Sequence, residues 1–382
     1  VHRSIKGLAV ATRELSAERA ARLLVDHHGL RRVVPELGAA GARRVLAERR
    51  CVQLDPLDVI GTNADLVMQA RVDGLARGAV YDALLPGHAF EHFAKERCLL
   101  PASAFPAYRE QAAETPWWRL GERQRRLPAG VVERVLDELT GLGRAATADE
   151  LSDHGAVEAL DWSGWKGTAK ATKMALEVLW TQCRVVVAGR TGRGKVYDVP
   201  ERALATARAP APASFGRWAL GERVEAAGLL ARAGGAHWSM LREVREGPLP
   251  DAMVAEGVLE EVTVAGSRRV YLAPAGVLDR EHPEDDGRMR ILGPLDPVLW
   301  DRQLARHAFG FDYVWEVYKP AAKRRWGWYV CPLLHRGRLV GRFEPAVEAG
   351  ELVVKNLWIE DGGAFDRAAF DAALARQQAL LG

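Results

Sequence analysis

Between Pro128 and Val199 the chain passes through an order of elements that few folds accommodate. An amphipathic helix over Gly130–Thr140 (VVERVLDELT) is followed by a capping box, Thr147-Ala-Asp-Glu150, which opens a short second helix. A third helix is expected from about Gly167 to Gln182, with Lys170 and Lys173 on its early turns. Residues 184–189 then alternate as a strand, TGRG turns the chain, and Lys195–Val199 returns. Three helices closed by a basic-tipped hairpin is the winged helix-turn-helix order, in which the third helix enters a groove and the wing touches backbone.

The same order recurs without a visible sequence repeat. After an Ala/Pro-rich linker, ATARAPAPAS (205–214), helices are expected over 217–233, 239–245 and 249–256. A hairpin, 259–264 with 269–272, closes this unit. The N-terminal part fits more loosely: helices over 16–28 and 38–49, a strand around Gln53, a helix over 63–72 and one or two short helices within 79–95. From about Met289 short alternating strands dominate (311–318, 327–334, 338–343, 351–359), with a closing helix at 364–381. The expected fold class is therefore α+β: tandem winged helices at 1–127, 128–210 and 211–285, then a β-barrel-like domain at 286–382.

At 382 residues and 48% apolar content the chain can bury several cores. No run of about 18 apolar residues and no secretory leader is visible, so a cytoplasmic, nucleoid-associated protein is expected. Cys51, Cys98, Cys183 and Cys331 lie far apart, with neither a CxxC motif nor a His-rich partner, which argues against a zinc site or a disulfide framework.

Net charge is only +3, but its distribution says more than its sum. Lys166, Lys170 and Lys173, Arg190, Arg193 and Lys195, Arg268 and Arg269, and Lys323, Arg324 and Arg325 fall at expected hairpin tips or helix starts. A solvated surface is the ordinary fate of one such cluster; their recurrence points to phosphate contacts. Trp326 follows the last cluster, in a connection suited to a DNA groove, whereas Trp300, Trp315, Trp328 and Trp358 are expected in the C-terminal core. His27-His28 is expected to complement a helix C-terminus. Gly189–Lys195 lacks the spacing of a nucleotide-binding loop.

Chemistry is suggested by Cys51-Val-Gln-Leu-Asp-Pro56. In an extended run, Gln53 and Asp55 fall on one side, with Asp58 on the other, and Pro56 keeps Asp55 extended. An amide and a carboxylate so placed can hold a water and steady a carbon that becomes cationic.

Three segments together resemble the bacterial crosslink-repair DNA glycosylases of the YcaQ and AlkZ group: VQLDPLDVI (52–60), FEHFAKERCLLP (90–101), and LGPLDPVLWDR (292–302) with the FGFDYVWEVYKPAAKRRWGWYVCPLLHRGRLVGRFE run (309–344). The resemblance implies monofunctional hydrolysis of the N-glycosidic bond of N7-alkylated guanine, crosslink unhooking, and double-stranded DNA as partner. It implies no cofactor, metal, membrane or required protein partner, and a monomer suffices. The family's Gln-x-Asp element is Gln53-Leu54-Asp55 here, the YcaQ-like form, and its basic hairpin corresponds to Lys323–Trp326. Two positions depart from the pattern: Lys95 stands where a His is expected and Glu344 where an Asp is more usual. Without these motifs, winged helices point instead to a transcriptional regulator, and an inactive paralogue that only binds damaged DNA is the other alternative.

Overall fold

The computed structural model describes residues 12–112, 119–160, 167–192, 194–360 and 365–381, and Lys166 and Arg193 lie outside them. The architecture is mixed α+β, with five antiparallel or mixed sheets of two to four strands among the described residues. Among the described residues no helix is long and apolar enough to cross a membrane.

In the middle of the chain, Val131–Gly141 packs Val131, Val135 and Leu139 inward against the helix Ala171–Thr181. The Thr147–Glu150 capping box forms, but it opens only a single 3-10 turn, Ala148–Glu150. Val186–Thr191 and Gly194–Asp198 make the hairpin, and Ala146–Thr147 joins its edge. Farther on, helices Phe215–Ala227, Arg242–Glu246 and Leu249–Ala255 precede the hairpin Leu259–Val264 with Val270–Pro274.

Three regions differ from expectation. First, part of the 79–95 stretch is not helical: after a helix at Ala79–Leu84, Ala89–Phe93 pairs with Arg97–Pro101, and Val52–Gln53 adds to the other edge of Arg97–Pro101. These strands are covered on both faces, so no polar side betrays them in the sequence. Second, Arg13–Leu15 pairs in parallel with Leu259–Val264, and the helix Ala17–His27 shares an apolar core with Val262, Leu299, Leu304 and Tyr313. Residues 13–27 thus pack against segments far along the chain. Third, the C-terminal strands Arg290–Ile291, Cys331–His335, Arg338–Glu348 and Glu351–Ile359 form an open four-stranded sheet, not a closed barrel. The helix Arg367–Leu380 lies on it, sealing Phe343 and Phe370 with Ile60 and Leu66 from the N-terminal part. The expected strand 311–318 is irregular chain instead: Phe311 and Tyr313 are buried and stack on one another, but among the described residues no neighbouring strand pairs with them.

Two buried contacts bring the C-terminal part against Gln53. Arg71 and Asp296, 1% and 0% exposed, form a bidentate pair at 2.8 and 3.0 Å. Asn63 donates to the Gln53 carbonyl at 2.8 Å and accepts from the Leu295 amide at 3.0 Å. Gly293 permits this approach, since a Cβ there would fall 2.6 Å from the Asn63 Oδ1.

Candidate active site

Gln53 ends its short strand opposite Cys98, and Leu54 still bonds to the Arg97 carbonyl at 2.8 Å. The chain then turns. The Asp55 Oδ1 accepts from the Leu57 amide at 2.9 Å, an Asx turn that holds the carboxylate immediately before Pro56. Although the strand stops at Gln53, both side chains line one open cleft of about 820 Å³, together with Phe93, Arg97, Lys173, Trp315 and Tyr318. Asp58 lies outside this cleft wall and pairs with Arg77 at 2.8 Å.

Gln53 is buried, and its Oε1 accepts from the Lys95 Nζ at 2.7 Å. Asp55 is half-buried, and desolvation pushes its carboxyl above the usual range, against the opposing pull of the Leu57 amide. Among the described residues Asp55 makes no ion pair, and its one hydrogen bond is to that amide. The cleft's cations are engaged elsewhere: Arg97 pairs with Glu91 at 3.1 Å and lies over Trp180, while Arg123 pairs with Glu177. Tyr318, 72% exposed, stands at the rim with Trp315 edge-on to it at 5.8 Å.

The basic positions separate into two groups. Arg190 bonds to fully buried Glu91 and covers the Tyr81 ring, and Lys195 lies over Trp180, its ammonium pushed down to about 8 by burial. Arg190 therefore engages the neighbouring hairpin, and Lys195 the helix Ala171–Thr181. Arg269 is likewise held, by Asp301 at 3.0 Å. Lys170 pairs with Asp149 at 3.0 Å but remains half exposed, and Lys173 lies on the cleft wall, 4.0 Å from the same carboxylate. Arg268 and Lys323 are exposed.

The connection Tyr318–Trp328 is an irregular loop with one turn at Ala321–Lys323, rather than a hairpin. Two carboxylates fix it. Buried Glu316 accepts from Lys319 at 2.8 Å and from the amides of Arg325 and Trp326 at 2.8 and 2.7 Å. Glu344, at the second departure from the family pattern, accepts from the Trp328 amide at 2.7 Å and Asn356 at 3.0 Å. Gly327, at φ +150°, lets the chain pass that carboxylate, which a Cβ would strike at 2.6 Å. Arg324 caps the Lys319 carbonyl at 2.8 Å. Trp326 is half-buried between Arg325 and Arg342 and meets Trp358 edge-on, so it supports the loop. Of the tryptophans expected in the C-terminal core, Trp300 is buried, Trp315 reaches the cleft and Trp328 is 40% exposed.

His27 and His28 do not act as helix-terminal cations. Both are buried, the His27 Nε2 meets the Glu225 carbonyl at 2.7 Å, and desolvation drives its pKa down to about 4. Among the described residues no cluster of His, Cys, Asp or Glu is arranged to hold a metal, and the four cysteines are free and buried. Sequence reasoning noticed Lys95 only as an oddity and missed Asn63, Glu316 and Tyr318; Lys95 and Asn63 meet partners 42 and 232 positions away, while Glu316 and Tyr318 sit in irregular chain whose turns carry no periodic signal.

A carboxylate without an ion-pair partner among the described residues, beside an amide on the wall of an open cleft, can hold a water and steady positive charge that develops near it. The chain belongs to the AlkZ-like DNA glycosylase family, whose model matches residues 46–380. It is accordingly a DNA glycosylase, a DNA-repair hydrolase. Its backbone is similar to that of the Streptomyces sahachiroi DNA glycosylase AlkZ, at 18% identity and a TM-score of 0.58, over 96% of this chain and 97% of that one; this likeness establishes a common fold.

Proposed function

We propose that this glycosylase hydrolyses the N-glycosidic bond of N7-alkylated guanine in double-stranded DNA, as a monomer without metal or protein partner, and unhooks interstrand crosslinks. The observation that carries the reading is the unpaired Asp55 carboxylate beside Gln53 on the wall of an open cleft. An N7-alkylguanine already bears positive charge, so its bond to C1′ is weakened and the base departs neutral when the bonding pair moves to N9. Asp55 steadies the oxocarbenium-like sugar and takes a proton from the water that attacks C1′, while Gln53 holds that water. A crosslinked base cannot swing fully out of the duplex, and an open cleft suits it better than an enclosed pocket.

In this reading the three hairpin sheets are the wings of winged-helix units at 1–127, 128–210 and 211–285, and the sheet from 286 to 382 presents the Lys323–Trp326 loop to DNA. Phosphate contacts are assigned to Lys170, Lys173, Arg268, Lys323 and Arg325 as the more exposed cations.

The test is a single-turnover incubation with duplex DNA carrying one N7-methylguanine and, separately, a nitrogen-mustard crosslink, each followed by alkali. Strand breaks that need alkali, and that fall by about three powers of ten in Asp55→Asn, are expected. Tight DNA binding without abasic sites on either substrate would leave a regulator or an inactive paralogue, and a wild-type rate in Asp55→Asn would remove the catalytic assignment.

A further inference from the structure

The ammonium of Lys95 has three donors and no acceptor, so the Gln53 atom that faces it at 2.7 Å must be Oε1. The amide orientation, often a matter of choice, is here dictated by chemistry. Nε2 consequently lies on the opposite side, where it makes no hydrogen bond among the described residues and Gln53 borders the cleft. Lys95 itself stands behind Gln53, at the turn between strands Ala89–Phe93 and Arg97–Pro101, with its ammonium 5.3 Å from the Trp300 ring centre.

We propose that Lys95 is a positioning residue that fixes the polarity of Gln53, so that the amide enters the cleft only as a hydrogen-bond donor. This rests on Gln53 serving the hydrolysis proposed above. An attacking water has two lone pairs and two protons. One lone pair forms the new C–O bond at C1′, one proton passes to Asp55, and the second lone pair accepts from Gln53 Nε2. An amide turned the other way would instead compete with Asp55 for the water's protons.

The arrangement depends on the charge of Lys95. Burial pushes its ammonium down to about 8. The groups around it are Glu96 on its own turn, Cys98 on the strand Arg97–Pro101, Cys51 just before the strand Val52–Gln53, Arg302 from the helix Arg302–Phe309, and His237 from the turn Ala236–Trp238. When the ammonium loses its proton it gains a lone pair, can accept from Nε2, and no longer dictates the amide's orientation. The rate should therefore fall as pH rises through the Lys95 pKa. An arginine remains charged throughout this range and should abolish that limb.

Single-turnover excision of N7-methylguanine from about pH 6 to about 9.5 tests this, using wild type, Lys95→Met, Lys95→Arg, Gln53→Ala, Gln53→Glu and the Lys95→Met/Gln53→Ala pair. Lys95→Met should slow excision roughly 10²-fold, as for a lost positioning contact, with unchanged affinity for undamaged duplex and no further loss in the Gln53→Ala background. Gln53→Glu, which can pair with Lys95 but offers no donor, should fold and be as slow as Gln53→Ala. Full activity in Gln53→Glu, multiplicative losses in the double variant, or an alkaline limb unchanged in Lys95→Arg would each overturn the proposal. Should Lys95→Met fail to fold, the Lys95→Arg pH profile and the Gln53→Glu rate decide alone. A wild-type rate in Gln53→Ala would instead remove Gln53 from the reaction, and the role of Lys95 with it. Loss in Gln53→Ala without coupling to Lys95 would remove only this inference.

Discussion

Replacing Asp296 by Asn should cost this protein more stability than almost any other single-atom exchange. The Asp296 carboxylate meets Arg71 through two bonds of 2.8 and 3.0 Å at a site where neither side chain exceeds 1% exposure. Arg71 also donates to the carbonyls of His28 and Val67, each at 2.7 Å, so the guanidinium cannot withdraw to water. Removing the negative partner leaves a buried charge compensated only by dipoles, at a cost of about 3–5 kcal/mol. With an unfolding entropy near 2.1 cal/mol/K per residue, that corresponds to a fall in Tm of roughly 4–6 °C if the chain melts as one unit, and about twice that if half of it does. Calorimetry of Asp296→Asn beside Arg71→Met/Asp296→Leu separates the orphaned charge from the lost contact, because the double variant buries no ion and should recover most of the loss. A melting temperature within about 1 °C of wild type for Asp296→Asn would refute the reasoning, because it would mean that the pair contributes no more than an exposed one.

Asp55→Asn should have the opposite sign. Desolvation raises the folded-state pKa of Asp55, so its stabilising contribution is complete below the unfolded value of about 3.9 and is lost as pH rises through the folded value. Near neutrality the charged carboxylate costs stability, so the variant should melt higher at pH 7, with the difference shrinking as pH falls below the folded-state value; a lower melting temperature at pH 7 would contradict this. Glu316→Ala removes one charge-assisted bond to Lys319 and two to the amides of Arg325 and Trp326. DNA affinity should weaken by at least about 10-fold in an anisotropy titration, and unchanged affinity would show that the loop is not used as proposed.

What could be read in advance follows from where each signal resides. The units from Pro128 to Pro274 announce themselves because caps, turns and period-two strands are local, as at Thr147–Glu150 and Leu259–Val264. The hairpin Ala89–Pro101 could not be read in that way. Glu91 and His92 interrupt its apolar run, yet both are buried, satisfied by Arg97 and Arg190 and by the Thr181 carbonyl at 3.1 Å. Basic clusters mislead for the same reason: Arg190 finds Glu91 ninety-nine positions away, and Arg269 finds Asp301 at thirty-two. Gln53 and Asp55 were legible as a pair, but a strand's alternation is not what brings them together; an Asx turn after a truncated strand does.

Charge pairing among the described residues bears on how Asp55 is placed. Many half-buried and buried acids are matched to arginine: Asp26 with Arg31, Asp73 with Arg288, Glu91 with Arg97, Asp198 with Arg202, Asp286 with Arg290 and Asp301 with Arg269. Others are met differently: Glu316 pairs with Lys319, and fully buried Asp65 accepts three hydrogen bonds from Thr62 and Gly78, its carboxyl also raised by burial. Such pairing lowers the cost of removing a carboxylate from water, but it also cancels the carboxylate's field. Among the described residues Asp55 has no such partner, although Arg97 and Lys173 border the same cleft. Asp55 therefore bears the desolvation that raises its pKa with one amide hydrogen bond and no ion pair to offset it. That cost is consistent with a site whose counter-ion arrives with the substrate, and a guanine made cationic by alkylation, becoming a cationic sugar as its bond breaks, is such a counter-ion. By the same reasoning an unmodified, neutral guanine leaves Asp55 uncompensated in the ground state, which favours damaged over intact DNA before any contact to the alkyl group is made.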